Sequence, residues 1–201
     1  MNVKGVARLL RIAAHPRELR MALSGLGIRL SGDDAIGGLS ADETAALVRW
    51  VGTSGADVFV EIGTLFGLTA RDVARMAGVK VVAVDNFCWN PFGLTAAQHE
   101  AFTRRILAGS GVELVKGDAE RFLESLPGRV EPARALVFLD GSHAYADVKR
   151  ELEILKSCGA RYVAGHDFGN PLFGVTRAVR EELGEPDEVA GMCWMKRLAG
   201  R

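Results

Sequence analysis

Short apolar runs alternate with amphipathic segments along most of the chain. Five valine-rich runs, each closing on an acidic residue or a glycine, span residues 57–63, 79–85, 112–118, 135–140 and 161–167. Because their apolar positions are consecutive rather than alternating, we expect strands that are buried on both faces. The segments between them have helical periodicity, and neighbouring parallel strands require such crossovers. The pattern predicts an α/β fold with a doubly wound, mostly parallel sheet.

Additional elements are predicted before the first strand and after the fifth. The sequence from Ser40 to Glu43 is a capping box, which starts a helix extending through Trp50. Residues 174–184 predict another helix, and residues 187–198 predict a short hairpin. The predicted sheet therefore has a helical addition at one end of the chain and a hairpin at the other.

The composition is that of a globular protein with one well-buried core. The chain has 201 residues, of which 48% are hydrophobic and 25% are charged. We expect a helical extension at residues 1–54 and a ligand-binding domain at residues 55–201. Lysine plus arginine and aspartate plus glutamate both number 25, so the net charge is zero. The absence of a basic field disfavours nucleic acid as a partner.

Cysteine use and hydropathy predict a cytoplasmic protein. The three cysteines, Cys88, Cys158 and Cys193, contain no CxxC pair and suit a reducing compartment. No apolar run approaches the ~20 residues that span a bilayer. The N-terminus lacks the uninterrupted apolar core of a signal peptide.

The first 30 residues are strongly basic. They contain six lysines and arginines against Glu18 alone, interleaved with apolar residues. Basic amphipathic helices can lie on anionic membrane surfaces, but a solvated helix packed on its own domain is the commoner arrangement. We expect a packed helix, with peripheral membrane contact or a second subunit of a homodimer as alternatives.

The turn after the first predicted strand is punctuated by Gly63 and Gly67. A dinucleotide-binding turn needs G-x-G-x-x-G so that the backbone can approach a pyrophosphate. The middle glycine is missing here, and Leu65 and Phe66 occupy the turn. The turn therefore suits a ligand without phosphates.

Acidic residues follow the predicted strands, and open α/β sheets bind ligands outside their carboxyl ends. Asp85 is placed to accept both hydroxyls of a ribose, and Asp118 to meet an adenine edge. Glu61 can attract a cationic amino acid portion. Acidic groups suit a positively charged sulfonium nucleoside and would repel ATP. The alternatives are an ordinary tight turn for the glycines and helix N-capping for the two aspartates.

Asp140 and Asp167 end the fourth and fifth predicted strands. Two carboxylates brought together repel unless they are protonated or bridged by a cation, so we predict a metal site. His143 lies three positions after Asp140, and an ordinary pKa near ~6.5 lets an imidazole accept a hydroxyl proton. Helix capping or a hydrogen bond to a neighbour is the alternative role for His143.

Five segments in order resemble the class I S-adenosylmethionine-dependent methyltransferases, which have a Rossmann-like sheet: VFVEIGTLFGLTA, VVAVDNF, ELVKGDAERFL, LVFLDGSHAYADVKREL and YVAGHDFGNPLFGVTRAVREEL. The resemblance covers about residues 55–197. It is closest to a small bacterial branch of O-methyltransferases with a DG-x-H-x-Y segment and an HD or ED pair, similar to sugar, antibiotic-pathway and catechol-type enzymes. It implies a cofactor site made of Glu61, Gly63, Thr64 and Gly67 at the methionine portion, Asp85 and Asn86 at the ribose, Asp118 and Ala119 at the adenine, and Asp140.

The same resemblance implies a Mg²⁺ ion held by Asp140 and Asp167, with His143 as the general base. His166 stands where those relatives usually carry an acidic residue. An imidazole favours Mn²⁺ or another softer ion; otherwise His166 supports a ligand or contacts the substrate. Asn170 is a further candidate oxygen ligand.

We therefore expect metal-assisted O-methylation of a hydroxyl on a small molecule, a sugar or a glycan. An NAD-dependent Rossmann oxidoreductase is an alternative, although it lacks the required glycine. A nucleoside-binding protein that has kept the fold without the chemistry is another. The aromatic residues Phe87, Trp89 and Phe92 predict either an acceptor wall or a cover for the core.

Overall fold

The computed structural model describes residues 38–89 and 94–198. Seven strands in this part form one sheet: β1 (Val58–Ile62), β2 (Lys80–Asp85), β3 (Glu113–Lys116), β4 (Ala135–Leu139), β5 (Tyr162–Gly165), β6 (Glu188–Ala190) and β7 (Cys193–Arg197). Their order across the sheet is β3-β2-β1-β4-β5-β7-β6. The first five strands are parallel, whereas β7 is antiparallel to both β5 and β6. The predicted doubly wound, mostly parallel sheet is confirmed.

Helices fill the connections between the strands, as their periodicity predicts. They are α1 (Ala41–Ser54), α2 (Leu68–Ala77), α3 (Ala96–Leu107), α4 (Ala119–Glu124), α5 (Tyr145–Ser157) and α6 (Val175–Leu183). Two short 3₁₀ turns, Leu126–Gly128 and Pro132–Arg134, lie between α4 and β4.

The central strands are buried on both faces of the sheet. All five residues of β4 are buried, and the alternate positions Phe59 and Val60 of β1 belong to two different apolar clusters. One cluster packs the sheet against α5 and α6, and the other packs it against α1 and α2. Consecutive apolar residues are needed because neither face of these strands meets water.

Helix α1 packs directly on the sheet. The predicted capping box is present: the Ser40 side chain accepts the Glu43 N–H, and the Glu43 carboxylate accepts the Ser40 N–H at 2.9 Å. Leu47 and Trp50 are fully buried against the second cluster. The helix runs four residues beyond the predicted end at Trp50, to Ser54, because a left-handed Gly55 forms its cap.

The predicted C-terminal hairpin is confirmed as β6 and β7. Ala190 pairs with Cys193 across a turn in which Gly191 has a φ of 59°. Trp194 of β7 lies beside Gly165 of β5 and is fully buried. A side chain at position 165 would meet the Trp194 ring at 2.8 Å, so the pairing of β5 with β7 requires a glycine at this position.

Several sequence predictions fall outside the described residues. They concern the basic segment at residues 1–30 and the aromatic side chain of Phe92. The division of the chain at residues 1–54 and 55–201 stays a prediction. In the ranges that the structure describes, no helix is long and apolar enough to cross a membrane.

The turns after β1 and β4 approach each other closely at Gly63. Its φ is 83°, and a Cβ atom added there would lie 2.3 Å from Gly141 Cα and 2.4 Å from the Asp140 carbonyl oxygen. The turns after β1 and β4 can touch only because position 63 has no side chain.

Gly63→Ala is expected to lower the free energy of unfolding by roughly 1–3 kcal/mol more than Gly78→Ala, because overpacking adds to backbone strain. Gly78 is the matched control, since its φ of 67° is also left-handed but nothing lies within 4 Å of an added Cβ. Urea denaturation of both variants measures the difference. Equal losses of unfolding free energy in the two variants would show that the backbone at Gly141 moves aside without destabilising the fold.

Candidate active site

The turns that follow β1, β2 and β4 are joined by backbone hydrogen bonds. The Gly63 N–H donates to the Val84 carbonyl at 2.8 Å, and the Asp140 N–H donates to the Ile62 carbonyl at 2.8 Å. These bonds place the carboxylates of Glu61, Asp85 and Asp140 at one edge of the sheet. The charges of Asp85 and Asp140 both act on Glu61, so the three acids lie close together.

The turn after β1 has a strained backbone that α3 supports. Gly63, Leu65 and Gly67 all have positive φ, which is unfavourable for leucine. The Leu65 carbonyl lies 2.9 Å from His99 Nε2 and accepts the Thr103 hydroxyl at 2.6 Å. The sequence analysis missed both α3 residues, since they contact the turn from over 30 positions away in the chain.

Asp85 fixes this turn through its side chain. Its Oδ2 accepts the N–H groups of Thr64 and Leu65 at 3.0 and 2.9 Å, and its Oδ1 accepts the Phe87 N–H at 2.6 Å. The predicted ribose contact stays a prediction, and a carboxylate with about four acceptor sites keeps room for it. The neighbouring Asn86 is exposed, and its Oδ1 accepts the Cys88 N–H at 2.8 Å.

Glu61 is the most deeply buried of the acids, with 1% of its surface exposed. Burial raises the pKa of Glu61 to about 8; the hydrogen bond from the Thr64 hydroxyl opposes this, and the charges of Asp140 and Asp85 add to it. Within residues 38–89 and 94–198, no lysine or arginine is among the groups that act on it. Negative charge at this edge is therefore poorly compensated by the chain itself.

Asp118 occupies a helix cap. Strand β3 ends at Lys116, and the Asp118 Oδ1 accepts the Arg121 N–H at 3.1 Å at the start of α4, whose first residue is Ala119. The capping alternative is thus what the structure shows for this side chain. A contact of Asp118 and Ala119 with adenine stays a prediction.

Asp140, His166 and Asp167 form the candidate metal centre. One ligand atom from each lies within 4.8 Å of the others. His166 Nδ1 is 3.4 Å from Asp167 Oδ2 and 3.8 Å from Asp140 Oδ1. Asn170 donates its amide to Asp167 Oδ1 at 2.9 Å, so in this amide orientation it supports a carboxylate rather than offering an oxygen. The predicted pairing of the two aspartates is present, with His166 between them.

The pKa values of these three side chains are shifted in different directions. Burial of His166 by itself lowers its pKa, but the hydrogen bond to Asp167 and the charges of the surrounding carboxylates prevail and raise it to about 9. Burial raises the pKa of Asp140 to about 7 despite the nearby His166. Burial also acts to raise the pKa of Asp167, but hydrogen bonds from His166 and Asn170 hold it below its ordinary value. Without a metal, a protonated His166 is the cation between the two aspartates.

Glu43 of α1 is a site residue that the sequence analysis missed. Its Oε1 lies 3.4 Å from His166 Nε2 and accepts the Met192 N–H at 2.9 Å. The sequence identified Glu43 only as a capping-box residue, and that role is also real. Its second role depends on the fold, because β7 and the turn before it bring α1 against the end of β5.

His143 lies beside Asp167. Its Nδ1 is 3.4 Å from Asp167 Oδ2, and its ring packs against Phe173 at 4.5 Å between centroids. The capping alternative is wrong for His143, since Ala144 is the N-cap of α5 and its N–H donates to the Ser142 hydroxyl at 3.3 Å, not to His143. Burial, opposed by the charge of Asp167, lowers the pKa of His143, which favours the neutral imidazole that a base requires.

The aromatic residues after β2 divide between the two predicted roles. Phe87 is buried and lies edge-on to His99, with 5.1 Å between ring centroids, so it covers the core. Trp89 is 67% exposed and remains available to a ligand.

A sequence profile described as a methyltransferase domain matches residues 60–162, just over half of the chain. The chain belongs to this family. The protein is thus an S-adenosylmethionine-dependent methyltransferase, as the resemblance implied. The matched region includes Asp140 and His143 but ends before His166 and Asp167.

Solved methyltransferase structures share the fold. The chain is 19% identical to CalS11, a calicheamicin methyltransferase, with a TM-score of 0.61 over 78% of this chain and 77% of that one. TomG, an O-methyltransferase of Streptomyces achromogenes involved in tomaymycin synthesis, is 18% identical, with a TM-score of 0.55 over 83% of this chain and 75% of TomG. An O-methyltransferase of Bacillus cereus is 17% identical, with a TM-score of 0.55 over 81% of this chain and 74% of that one. At such identities the likeness concerns the class I methyltransferase fold alone. No curated protein sequence matches the chain.

Glu61→Gln is expected to change how stability depends on pH. Folded Glu61 keeps its proton up to about pH 8, whereas the unfolded chain releases it near the ordinary value of 4.5. The protonated form therefore favours folding at low pH, and this contribution is lost as the pH rises between those values. The stability of the wild type relative to the variant should fall by up to about 1.4 kcal/mol per pH unit. Urea denaturation from pH 5 to 8 measures it.

Glu153→Gln is the control for this series, because Glu153 lies on the exposed side of α5 with its side chain 43% accessible. Its stability should run parallel to that of the wild type. Parallel curves for Glu61→Gln as well would mean that Glu61 is ionised in the folded protein.

Glu43→Gln is expected to lower the pKa of His166 by roughly 1 pH unit, because it removes a carboxylate charge 3.4 Å from the imidazole. Glutamine is also a capping-box residue, so α1 keeps its start. A nuclear magnetic resonance titration of the metal-free protein measures the pKa of the His166 imidazole. Ser40→Ala breaks the capping box but keeps the Glu43 charge, so it should lower the pKa of His166 by less than Glu43→Gln does. A titration unaltered by Glu43→Gln would contradict the contact.

Proposed function

We propose that this protein is a metal-assisted O-methyltransferase that methylates a hydroxyl group of a small molecule, a sugar or a glycan. One observation carries the proposal: the His143 imidazole lies 3.4 Å from Asp167, beside the group of Asp140, His166 and Asp167. A base next to groups that can hold a cation is the arrangement that removes a proton from a hydroxyl.

The acidic edge of the sheet fits S-adenosylmethionine, whose sulfonium and ammonium groups are cationic. Glu61 is buried next to Asp85 and Asp140, and no lysine or arginine acts on it in the described ranges, so a cationic ligand would compensate these acids. We assign Glu61, Gly63, Thr64 and Gly67 to the methionine portion, Asp85 and Asn86 to the ribose, Asp118 and Ala119 to the adenine, with Asp140 beside them. When bound, the cofactor supplies an electrophilic methyl group.

Asp140, His166 and Asp167 fit a divalent cation. Two carboxylates and an imidazole whose ligand atoms lie within 4.8 Å suit Mn²⁺ or a similar ion better than Mg²⁺, which prefers oxygen ligands. When bound, the cation supplies positive charge that lowers the pKa of a hydroxyl next to it. His166 has to lose its proton first, because metals bind the neutral imidazole.

His143 takes the proton of the acceptor hydroxyl. Its Nδ1 faces Asp167, so Nε2 is the atom left to accept that proton. Burial keeps the ring neutral at pH 7 by lowering its pKa. Asp167 fixes the ring orientation and stabilises the imidazolium that forms, as an orienting carboxylate does for other catalytic histidines.

The test combines binding with turnover. S-adenosylhomocysteine should bind saturably in a calorimetric titration, both to the wild type and to His143→Gln. Methyl transfer to a panel of hydroxylated acceptors should fall by roughly 10²- to 10⁴-fold in His143→Gln, the usual contribution of a general base. Ser142→Ala is the matched control, because its hydroxyl bonds Asp147 at 2.6 Å and not the acids of the site.

Chelation tests the cation separately. Turnover should fall on treatment with a chelator and return with Mn²⁺ or Mg²⁺, and Asp140→Asn should prevent the return. Failure of both S-adenosylmethionine and S-adenosylhomocysteine to bind would refute the methyltransferase chemistry. Full activity in the chelator would refute metal assistance, and full activity of His143→Gln would refute the assigned base.

A further inference from the structure

A cavity of about 550 Å³ lies between the segment that follows β5 and one side of α6. It adjoins the candidate active site through two of its walls. Asn170 lines it and donates to Asp167, and Phe173 lines it and packs against the His143 ring. A cavity of this volume accommodates a small organic molecule. A molecule that fills it comes next to the proposed base.

The cavity offers flat apolar surfaces. Phe168, Pro171 and Phe173 line it, and Phe173 is 39% exposed although it is a large apolar residue. The ring of Phe173 packs on the imidazole of His143 with a tilt of 30° between their planes. Aromatic surfaces beside an open cavity suit the face of a further planar ring.

Cationic groups form the α6 side of the cavity. Arg177 and Arg180 line it. Each guanidinium is held over an aromatic ring, Arg177 at 4.2 Å from the Tyr145 centroid and Arg180 at 5.4 Å from that of Phe168. Stacking of this kind fixes the plane of a guanidinium without using its hydrogen-bond donors.

The two arginines keep donors for a ligand. Arg177 uses its Nε for Glu181 at 2.8 Å, and Arg180 uses its Nε for Glu185 at 2.7 Å. Among the described residues, the terminal NH₂ groups of both make no hydrogen bond. Glu181 is the one acid that lines the cavity, and it is already engaged by the Tyr145 hydroxyl and by Arg177. The cavity wall can therefore bind an anionic oxygen group.

We infer that the methyl acceptor is a hydroxylated aromatic acid, whose ring lies against Phe168 and Phe173 and whose anionic group is bound by Arg177 and Arg180. The inference rests on the proposed function, because it assigns the acceptor of the same site. The hydroxyl then faces His143, while the anionic group lies on the α6 side, away from the acids Asp140 and Asp167. This orientation separates like charges and pairs opposite ones.

Binding of a matched pair of probes tests the inference without turnover. Dihydroxybenzoate and its neutral amide, dihydroxybenzamide, differ in one charge and have nearly the same shape. In the full chain with S-adenosylhomocysteine added, the benzoate should bind roughly tenfold more tightly, the value of a charge-assisted hydrogen bond. In Arg177→Gln/Arg180→Gln the two Kd values should become equal. Rising salt should reduce the preference in the wild type, since the arginines are partly exposed.

Arg104→Gln is the control, since Arg104 is a comparably exposed arginine that pairs with Glu100 on α3. This variant should keep the preference for the benzoate. If the double variant does not fold, Arg180→Gln alone should show a partial loss. Equal binding of the two probes by the wild type, binding of neither, or a preference that survives the arginine substitutions would overturn the inference. Failure of the proposed function is distinct, because it appears as absent cofactor binding or as absent methyl transfer with the probe bound.

Discussion

The contact between the turns after β1 and β4 is the constraint on which the site depends. Gly63 touches the backbone of Asp140 and Gly141 so closely that no side chain fits at position 63. The same contact brings Glu61 and Asp140 into a shared, poorly hydrated region. Burial is the main reason why the pKa values of Glu61 and Asp140 rise to about 8 and about 7, and the charge of Asp140 adds to the rise at Glu61. The clustering of the Glu61 and Asp140 carboxylates therefore follows from backbone packing.

Backbone strain is concentrated at the same edge. Among the described residues, Leu65, Phe87 and Asp167 are the non-glycine residues with positive φ, and they follow β1, β2 and β5 respectively. Such conformations cost on the order of 1–3 kcal/mol each and persist where the surroundings fix them. Asp85 fixes two of them, because it accepts the N–H groups of both Leu65 and Phe87. One carboxylate therefore shapes the turns after both β1 and β2.

His166 links this edge to the part of the chain before the matched methyltransferase region. Its two ring nitrogens face different elements, with Asp140 and Asp167 on one side and Glu43 of α1 on the other. The ring can thus balance three carboxylates with one proton or, once neutral, join a metal centre. Helix α1 contributes to the site although it precedes the first strand of the sheet.

The sequence by itself determined the sheet, its parallel order of connections and the acids at its edge, because consecutive valines and strand-end carboxylates are local patterns. It also identified His143 and the aspartate pair. Only the tertiary structure decided that Asp118 caps α4, that Phe87 is buried, and that Glu43, His99 and Thr103 support the site. These residues act on partners distant in the chain or choose between two local roles. No local pattern records such choices, because they depend on which elements pack together.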